Sequence, residues 1–213
     1  MGTVRVTEIF RSIQGESTRA GMPCAFIRLT GCALRCVWCD SEYAFSGGEE
    51  MDVEEAARRA LALETEIVEI TGGEPLEQEG IHPLIERLLA AGKTVLLETG
   101  GHVPIDAVDP RVVKIVDVKA PGSGMQAANL PENLEALGPR DELKFVLADR
   151  SDFEWALAFV AQRDLDRRHV VTFSPVWDSL PAADLAGWVR DSGRPIRFGL
   201  PLHKVLWGDV PGK

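Results

Sequence analysis

The chain has 213 residues, of which 45% are hydrophobic and 26% are charged, and its formal net charge is −10. This composition is ordinary for a globular protein, and the length is most simply one domain, over residues 1–213, with a substantial core. Excess negative charge works against broad binding to nucleic-acid phosphates, so we expect a small-molecule ligand and no direct nucleic-acid partner. No apolar run reaches the roughly eighteen residues of a membrane span, and the first residues lack a signal-peptide pattern. We therefore expect a cytoplasmic protein without membrane association.

Short apolar segments alternate with segments of helical periodicity along the whole chain. Strands are predicted over residues 4–10, 24–30, 66–71, 94–99, 112–119, 142–147, 170–173 and 196–199. Helices are predicted over residues 52–63, 81–91, 151–162 and 181–190, with end signals at Asp52 with Glu55, Ser151 with Glu154, Gly92 and Pro181. Residues 12–16 are predicted as a turn, 46–50 as a flexible polar link and 121–139 as a loop or short helix. This alternation predicts a parallel sheet with right-handed crossovers.

Three cysteines lie on one short loop directly after the predicted strand 24–30, at Cys32, Cys36 and Cys39. Thiolates at this spacing can face a common point, and they are the ligands that iron–sulfur clusters require. The alternative is a structural zinc site, which normally needs four Cys or His ligands in two separated pairs. Cys24 and the histidines form no such pair, so the spacing favours a cluster. Three cysteines would leave one iron of a four-iron cluster without a protein ligand, which suggests reactivity. One leftover thiol also fits a reducing compartment better than a disulfide framework.

Polar residues follow most of the predicted strands, at the edge where parallel sheets place their ligand sites. They are the cysteine loop, Gly72-Gly73-Glu74, Glu98-Thr99, Asp117 with Lys119, Lys144, and Ser174-Pro175. Their repetition at one edge predicts a single pocket. Gly72-Gly73-Glu74-Pro75 could be an ordinary turn, or a segment where the backbone approaches a ligand and Glu74 accepts from an ammonium group.

Arg28 is unusual because it lies within a predicted buried strand. A charge in such a place needs a partner. An ion pair inside the protein and an anion-binding role are both open for Arg28. Cys24, on the same strand, is predicted to be a small buried side chain.

The cysteine loop followed by Gly72-Gly73-Glu74-Pro75 resembles the radical S-adenosylmethionine (SAM) superfamily. Within it, the chain resembles the 7-carboxy-7-deazaguanine synthases, through motifs that run nearly end to end. These motifs are Phe10-Arg11-Ser12-Ile13-Gln14-Gly15-Glu16, Phe26-Ile27-Arg28-Leu29, Trp38-Cys39-Asp40-Ser41, Thr71-Gly72-Gly73-Glu74-Pro75, Glu98-Thr99, Asp117-Val118-Lys119, Lys144-Phe145, Ser174-Pro175 and Leu202-His203-Lys204. The cysteine loop alone specifies the superfamily, and the segments 12–16 and 203–204 carry the narrower resemblance.

The resemblance implies an α/β fold that is an incomplete, open (β/α) barrel of the radical SAM type, in one radical SAM domain. It implies a 4Fe–4S cluster on Cys32, Cys36 and Cys39, with SAM and Mg²⁺ as further cofactors. The implied reaction is a radical ring contraction of 6-carboxy-5,6,7,8-tetrahydropterin, begun by hydrogen abstraction at its C6, with loss of ammonia. A one-electron donor such as flavodoxin and a homodimer are further implied.

The resemblance also assigns individual site residues. Implied SAM contacts are Trp38, Asp40, Gly73, Glu74, Ser123, Ser174, Pro175, Val176 and Trp177. Implied substrate contacts are Ile13, Gln14, Gly15, Glu16, Arg28, Thr71, Glu98, His203 and Lys213. Ser41 stands where the family usually has threonine, and its hydroxyl would keep the oxygen ligand for Mg²⁺. The alternatives are a surface residue for His203 and a plain loop hydroxyl for Ser41.

Two other functions compete with this one. Another radical SAM enzyme, such as an activating enzyme that installs a glycyl radical on a protein, would leave Gln14, Glu16, Arg28 and the His203-Lys204 pair unexplained. A non-enzymatic metal or redox sensor would leave Gly72-Gly73-Glu74-Pro75 unexplained.

Overall fold

The computed structural model describes residues 2–208, 210 and 212. Within them, nine strands form one sheet. The strands are β1 (Thr3–Ile13), β2 (Pro23–Leu29), β3 (Glu49–Asp52), β4 (Ile67–Gly72), β5 (Thr94–Thr99), β6 (Val113–Asp117), β7 (Glu142–Leu147), β8 (Val170–Pro175) and β9 (Arg197–Phe198). The helices are α1 (Val53–Leu61), α2 (Ile81–Ala90), α3 (Glu132–Glu135), α4 (Arg150–Gln162), α5 (Leu165–Arg168), α6 (Ala182–Asp191) and α7 (Leu202–Trp207). None of these helices is both long and apolar enough to cross a membrane.

The strand order is β3-β1-β2-β4-β5-β6-β7-β8-β9, and the sheet does not close on itself. From β2 through β4 to β9, each neighbouring pair is parallel, as the alternation of strands and helices predicts. The open (β/α) barrel is therefore confirmed. The part of the sheet formed by β3, β1 and β2 differs from the predicted parallel arrangement, because β1 runs antiparallel to both β2 and β3. No helix separates β1 from β2, and a helix-free return of this kind pairs strands antiparallel.

Several element ends differ from their predicted positions. The predicted turn at 12–16 begins later, because Ser12 and Ile13 still belong to β1. The predicted polar link at 46–50 instead includes the start of β3, an edge strand that pairs with β1. The two predicted start signals, Asp52 with Glu55 and Ser151 with Glu154, do not form side-chain caps. Asp52 makes no side-chain cap bond and α4 is capped by Asp149, which accepts from the Asp152 N–H at 2.9 Å.

The two faces of the sheet differ in what they bury. On the outer face, α1 and α2 pack on β1, β2, β4 and β5, while α4 and α6 pack on β7 and β8 around Phe145, Phe153 and Phe173. On the inner face, a smaller apolar group lies near the amino ends of the parallel strands. It consists of Cys24, Phe26, Ile67, Leu96, Val113 and Ile115, with Phe10 packed against it. Closer to their carboxyl ends, the same strands carry polar side chains on this face, and those residues form the candidate site.

Candidate active site

A cavity of about 560 Å³ opens at the carboxyl ends of the parallel strands. It collects nearly all of the residues that the sequence predicts for the site. The predicted residues that line it are Ile13, Gln14, Gly15, Glu16, Arg28, Cys32, Cys36, Trp38, Cys39, Asp40, Ser41, Thr71, Gly73, Glu98, Ser123, Ser174, Pro175, Val176, Trp177 and His203. Glu74 does not line the cavity, and Lys213 lies outside the described residues. The predicted single pocket is thus present in the structure.

The three thiols of Cys32, Cys36 and Cys39, here called the cysteine triad, all line this cavity and are free of disulfides. Burial raises the pKa of each thiol, while the nearby Lys119 ammonium works in the opposite direction. Binding to iron would favour the thiolate form over this burial cost. Cys24 is fully buried in β2, as predicted, and burial raises its pKa well above the ordinary range.

The donor set fits a cluster better than a single metal ion. Within the described ranges, no set of three or more His, Cys, Asp or Glu side chains is arranged to hold a single metal ion. A four-iron cluster places each cysteine on a different iron, so its ligands need not converge on one point as zinc ligands do. Three free thiols around one cavity satisfy that requirement.

Positions 72 and 73 need glycine because neighbouring backbone of this chain leaves no room for a Cβ. A Cβ on Gly73 would lie 1.8 Å from the Gly31 carbonyl oxygen, and one on Gly72 would lie 2.2 Å from the Leu29 carbonyl oxygen. Gly72 also has φ +134°, a conformation that side chains disfavour. An ordinary turn and close approach of a ligand were both open for this segment. The structure shows that the glycines allow the end of β4 to pack against the start of the cysteine loop, and close approach of a ligand stays a prediction.

Glu74 is fully buried, and its carboxylate is occupied by the protein. It accepts from the Thr99 hydroxyl at 2.9 Å, the Gly100 N–H at 2.8 Å and the Leu76 N–H at 3.0 Å. Burial raises its pKa, and these hydrogen bonds oppose the rise. Glu74 therefore holds the end of β5 against the Gly-Gly segment, and its expected contact with an ammonium group stays a prediction.

Lys144 connects two carboxylates that line the cavity. Its ammonium lies 2.6 Å from Glu16 and also contacts Glu98, and Thr71 donates to Glu98 at 3.2 Å. Burial disfavours the charged lysine, yet Glu16 and Glu98 raise its pKa well above the ordinary value. In return, although burial acts against it, Lys144 holds the pKa of Glu98 below its ordinary value. The arrangement keeps Glu98 ionised and available as an acceptor.

Glu69 is a site residue that the sequence analysis missed. It is buried in the middle of β4, lines the cavity and accepts a hydrogen bond from the Gln14 amide. The side-chain Oε1 of Gln14 in turn accepts from the Glu16 N–H at 2.8 Å. Burial, with Glu98 and Glu16 nearby, raises the pKa of Glu69 well above its ordinary value. A charged residue two positions before Thr71 in an apolar strand was the signal that could have revealed it.

Arg28 has a carboxylate partner inside the protein. Its Nε donates to Glu8 at 2.8 Å, and Glu8 lies directly opposite Arg28 in the β1–β2 register. The rings of Phe10 and Tyr43 flank the guanidinium at 6.0 and 5.7 Å. The two terminal nitrogens make no hydrogen bond within the described chain. The ion-pair alternative therefore accounts for Nε, and an anion at the terminal nitrogens stays a prediction.

The segment around α7 brings the end of the described chain to the site. The Leu202 N–H donates to the Gly15 carbonyl at 2.9 Å, and a Cβ on Gly15 would lie 2.0 Å from His203 Nδ1. Lys204 lies 3.3 Å from Asp40, which also accepts from the Ser41 hydroxyl at 2.9 Å. Although burial opposes it, Lys204 holds the pKa of Asp40 below its ordinary value. His203 is thus part of the cavity wall and not a remote surface residue.

Comparisons with known proteins agree with this geometry. The sequence model of the radical SAM superfamily matches residues 26–117. A 7-carboxy-7-deazaguanine synthase of Koribacter versatilis is 46% identical, with 96% of this chain and 97% of that protein covered. One from Chlorobaculum tepidum is 44% identical, with 96% and 94% covered.

The fold is also that of solved structures. The crystal structure of QueE from Escherichia coli superposes with a TM-score of 0.76 at 23% identity, covering 94% of this chain and 95% of that one. A structure of TYW1 with a lysine–pyruvate adduct bound superposes with a TM-score of 0.60 at 15% identity, covering 79% and 72%. Given the sequence identity over nearly the full length of both chains, the protein belongs to the 7-carboxy-7-deazaguanine synthase family of the radical SAM superfamily.

Proposed function

We propose that this chain is a 7-carboxy-7-deazaguanine synthase, a lyase that contracts the ring of 6-carboxy-5,6,7,8-tetrahydropterin with loss of ammonia in deazapurine biosynthesis. The observation that carries the proposal is that one cavity is lined by two chemically different groups. They are the three free thiols of the cysteine triad and the Glu16–Lys144–Glu98 array. An enzyme that places a cluster-bound cofactor beside a small polar substrate needs both groups.

The cysteine triad would hold a 4Fe–4S cluster whose fourth iron has no protein ligand. When bound, the cluster would supply one-electron reductive cleavage of SAM, with the electron taken from an external donor. Trp38, Gly73, Ser123 and the segment 174–177 lie on the cavity wall and are proposed to bind SAM. Their apolar and backbone surfaces would exclude water from a reactive radical.

The substrate is proposed to lie beside the carboxylates of Glu16, Glu69 and Glu98, which line the cavity. Glu98, held ionised by Lys144, can accept from the N–H groups of the pterin's pyrimidine ring. Gln14, fixed by Glu69, has its amide oriented before any substrate arrives. Arg28 lines the cavity, and its terminal nitrogens can pair with the substrate carboxylate.

Mg²⁺, a reductant such as flavodoxin and a homodimeric state complete the proposal. The Ser41 hydroxyl lies on the cavity wall beside Asp40, and hard oxygen donors of this kind suit Mg²⁺. Val37, at the tip of the cysteine loop, is 73% exposed, which supports access for a donor near the cluster. The exposed Val205, Leu206 and Trp207 of α7 support a subunit contact.

The test is an anaerobic reaction of the reconstituted protein with SAM, dithionite, Mg²⁺ and the carboxytetrahydropterin, analysed by mass spectrometry. We expect 7-carboxy-7-deazaguanine to form, and a Cys36→Ala variant to form none. SAM cleavage without this product would indicate a different radical SAM enzyme. A wild-type protein that binds iron but never cleaves SAM would favour the redox-sensing alternative.

A further inference from the structure

Two residues that no step above uses, Glu77 and His102, form a bridge between the cysteine loop and Glu74. Glu77 Oε1 accepts from the Ala33 N–H at 2.9 Å, and the same oxygen lies 2.8 Å from His102 Nε2. On its other side, His102 Nδ1 faces Glu74 Oε2 at 3.6 Å. The imidazole therefore lies between two carboxylates, one bound to the cysteine loop and one bound to the end of β5.

Hydrogen bonds to Glu74 and Glu77 hold the backbone on both sides of Cys32, the first cysteine of the triad. Before Cys32, the Gly31 carbonyl accepts from the Glu74 N–H at 2.7 Å. After Cys32, the Ala33 N–H donates to Glu77. Both partners belong to one short segment, so the backbone that carries this thiol is held by a single rigid support.

His102 is well placed to fix the Glu77 carboxylate. Its side chain is 10% exposed while that of Glu77 is 30% exposed, so the histidine anchors a side chain that solvent would otherwise leave mobile. A carboxylate oxygen can only accept, which means that Nε2 carries the proton in this contact. Nδ1 is buried and has no hydrogen-bond partner among the described residues. A buried ring nitrogen without a partner is unfavourable, so within the described residues the imidazole is held by its contact with Glu77.

We propose that Glu77, oriented by His102, is a positioning residue that fixes Cys32 relative to the Gly-Gly-Glu segment, and so holds the cluster in register with the proposed SAM site. The inference rests on the proposed function, because it needs a cluster on the cysteine triad. Neither side chain would touch iron or SAM. Their effect passes through the Ala33 backbone.

The test measures how fast the reconstituted protein loses iron to a chelator, together with the EPR spectrum of the reduced cluster before and after SAM is added. Glu77→Ala removes the acceptor of a charge-assisted hydrogen bond, and we expect iron loss about tenfold faster, which corresponds to about 1.4 kcal/mol. His102→Ala should act in the same direction, and both should alter the spectral change caused by SAM. Glu77→Gln keeps an oxygen for Ala33 and should restore iron retention to near the wild-type rate.

Matched controls come from the same region. Glu79→Ala and His82→Ala change the same residue types at exposed positions nearby and should behave as wild type. Melting curves of the metal-free variants separate positioning from general destabilisation. If His102→Ala does not fold, His102→Asn, which is too short to reach Glu77, carries the same expectation.

Wild-type iron retention and spectra in both alanine variants would overturn the inference. So would equal iron loss in Glu77→Ala and Glu77→Gln with equally lowered melting temperatures, because the defect would then be general. A wild-type protein that takes up no cluster would overturn the proposed function as well, and that failure is visible before any variant is made.

Discussion

Gly73→Ala tests whether close packing of the Gly-Gly segment on the cysteine loop is what builds the site. The added Cβ would lie 1.8 Å from the Gly31 carbonyl oxygen and 3.1 Å from the Cys32 Cβ. The first neighbour is backbone and cannot rotate away. The two segments must therefore separate by about 1.6 Å or more to restore an ordinary contact.

The loss of stability follows from the hydrogen bonds that this separation would break. The Gly73 N–H donates to the Leu29 carbonyl at 3.0 Å, and the Glu74 N–H donates to the Gly31 carbonyl at 2.7 Å. Each such bond contributes about 1 kcal/mol net, and overpacking adds about 1–3 kcal/mol. We expect a loss of about 3–5 kcal/mol in the free energy of unfolding, or about 6–20 °C in melting temperature.

The assay is thermal unfolding of the metal-free protein, followed by iron determination after anaerobic reconstitution. Gly187→Ala is the matched control, since it adds the same methyl group within α6, where nothing lies within 4 Å of the new Cβ. That variant should gain about 0.5–1 kcal/mol, because alanine suits a helix interior better than glycine. Gly73→Ala should also bind less iron, as the displaced backbone carries Cys32. A Gly73→Ala protein that melts and binds iron like wild type would refute this reasoning.

Four further changes test other parts of the site. Cys24→Ala should leave iron content near wild type, whereas equal iron loss in this variant and in the triad variants would remove the triad assignment. Ser41→Ala should lose most of the response of turnover to added Mg²⁺ and Ser41→Thr should keep it; indifference to chelation would leave Ser41 a plain loop hydroxyl. The raised pKa of Glu69 means that folding favours its protonated form, so the stability it gives at low pH is lost as pH rises through the folded pKa. Melting curves of the metal-free protein across pH should show this loss, and Glu69→Gln should abolish it. Arg28→Ala should weaken substrate binding on the order of a hundredfold without affecting SAM binding, measured by SAM cleavage with and without substrate; normal turnover would leave Arg28 only its ion pair with Glu8.

The location of the site could be predicted because the relevant signals are local in the chain. β7 runs from Glu142 to Leu147, the bounds that the apolar pattern predicts. Each parallel strand delivers its last residues to the same edge, so knowing where strands end is enough to predict which side chains meet. The cysteine triad needed even less, since its spacing and the absence of a second ligand pair favour a cluster over a closed zinc site.

The partners of the charged residues could not be predicted, because they depend on long-range register. Arg28 meets Glu8 only because β1 turns back antiparallel with an irregularity between Val6 and Glu8. Lys144 meets Glu16 across most of the chain length. Periodicity shows which face of a strand a residue occupies, but the neighbour on the next strand depends on pairing that no local pattern encodes.

α7 connects the cysteine loop with the segment that carries Gln14 and Glu16. Lys204 binds Asp40, which follows the last triad cysteine directly, while the neighbouring His203 occupies the space that a side chain on Gly15 would need. Gly15 in turn lies between Gln14, whose side chain donates to Glu69, and Glu16, whose side chain accepts from Lys144. Two consecutive residues of one short helix therefore contact the cysteine loop and the proposed substrate segment together. A displacement of α7 would move the cysteine loop and the Gln14–Glu16 segment at once, so the distance between these two segments depends on this helix as well as on the sheet.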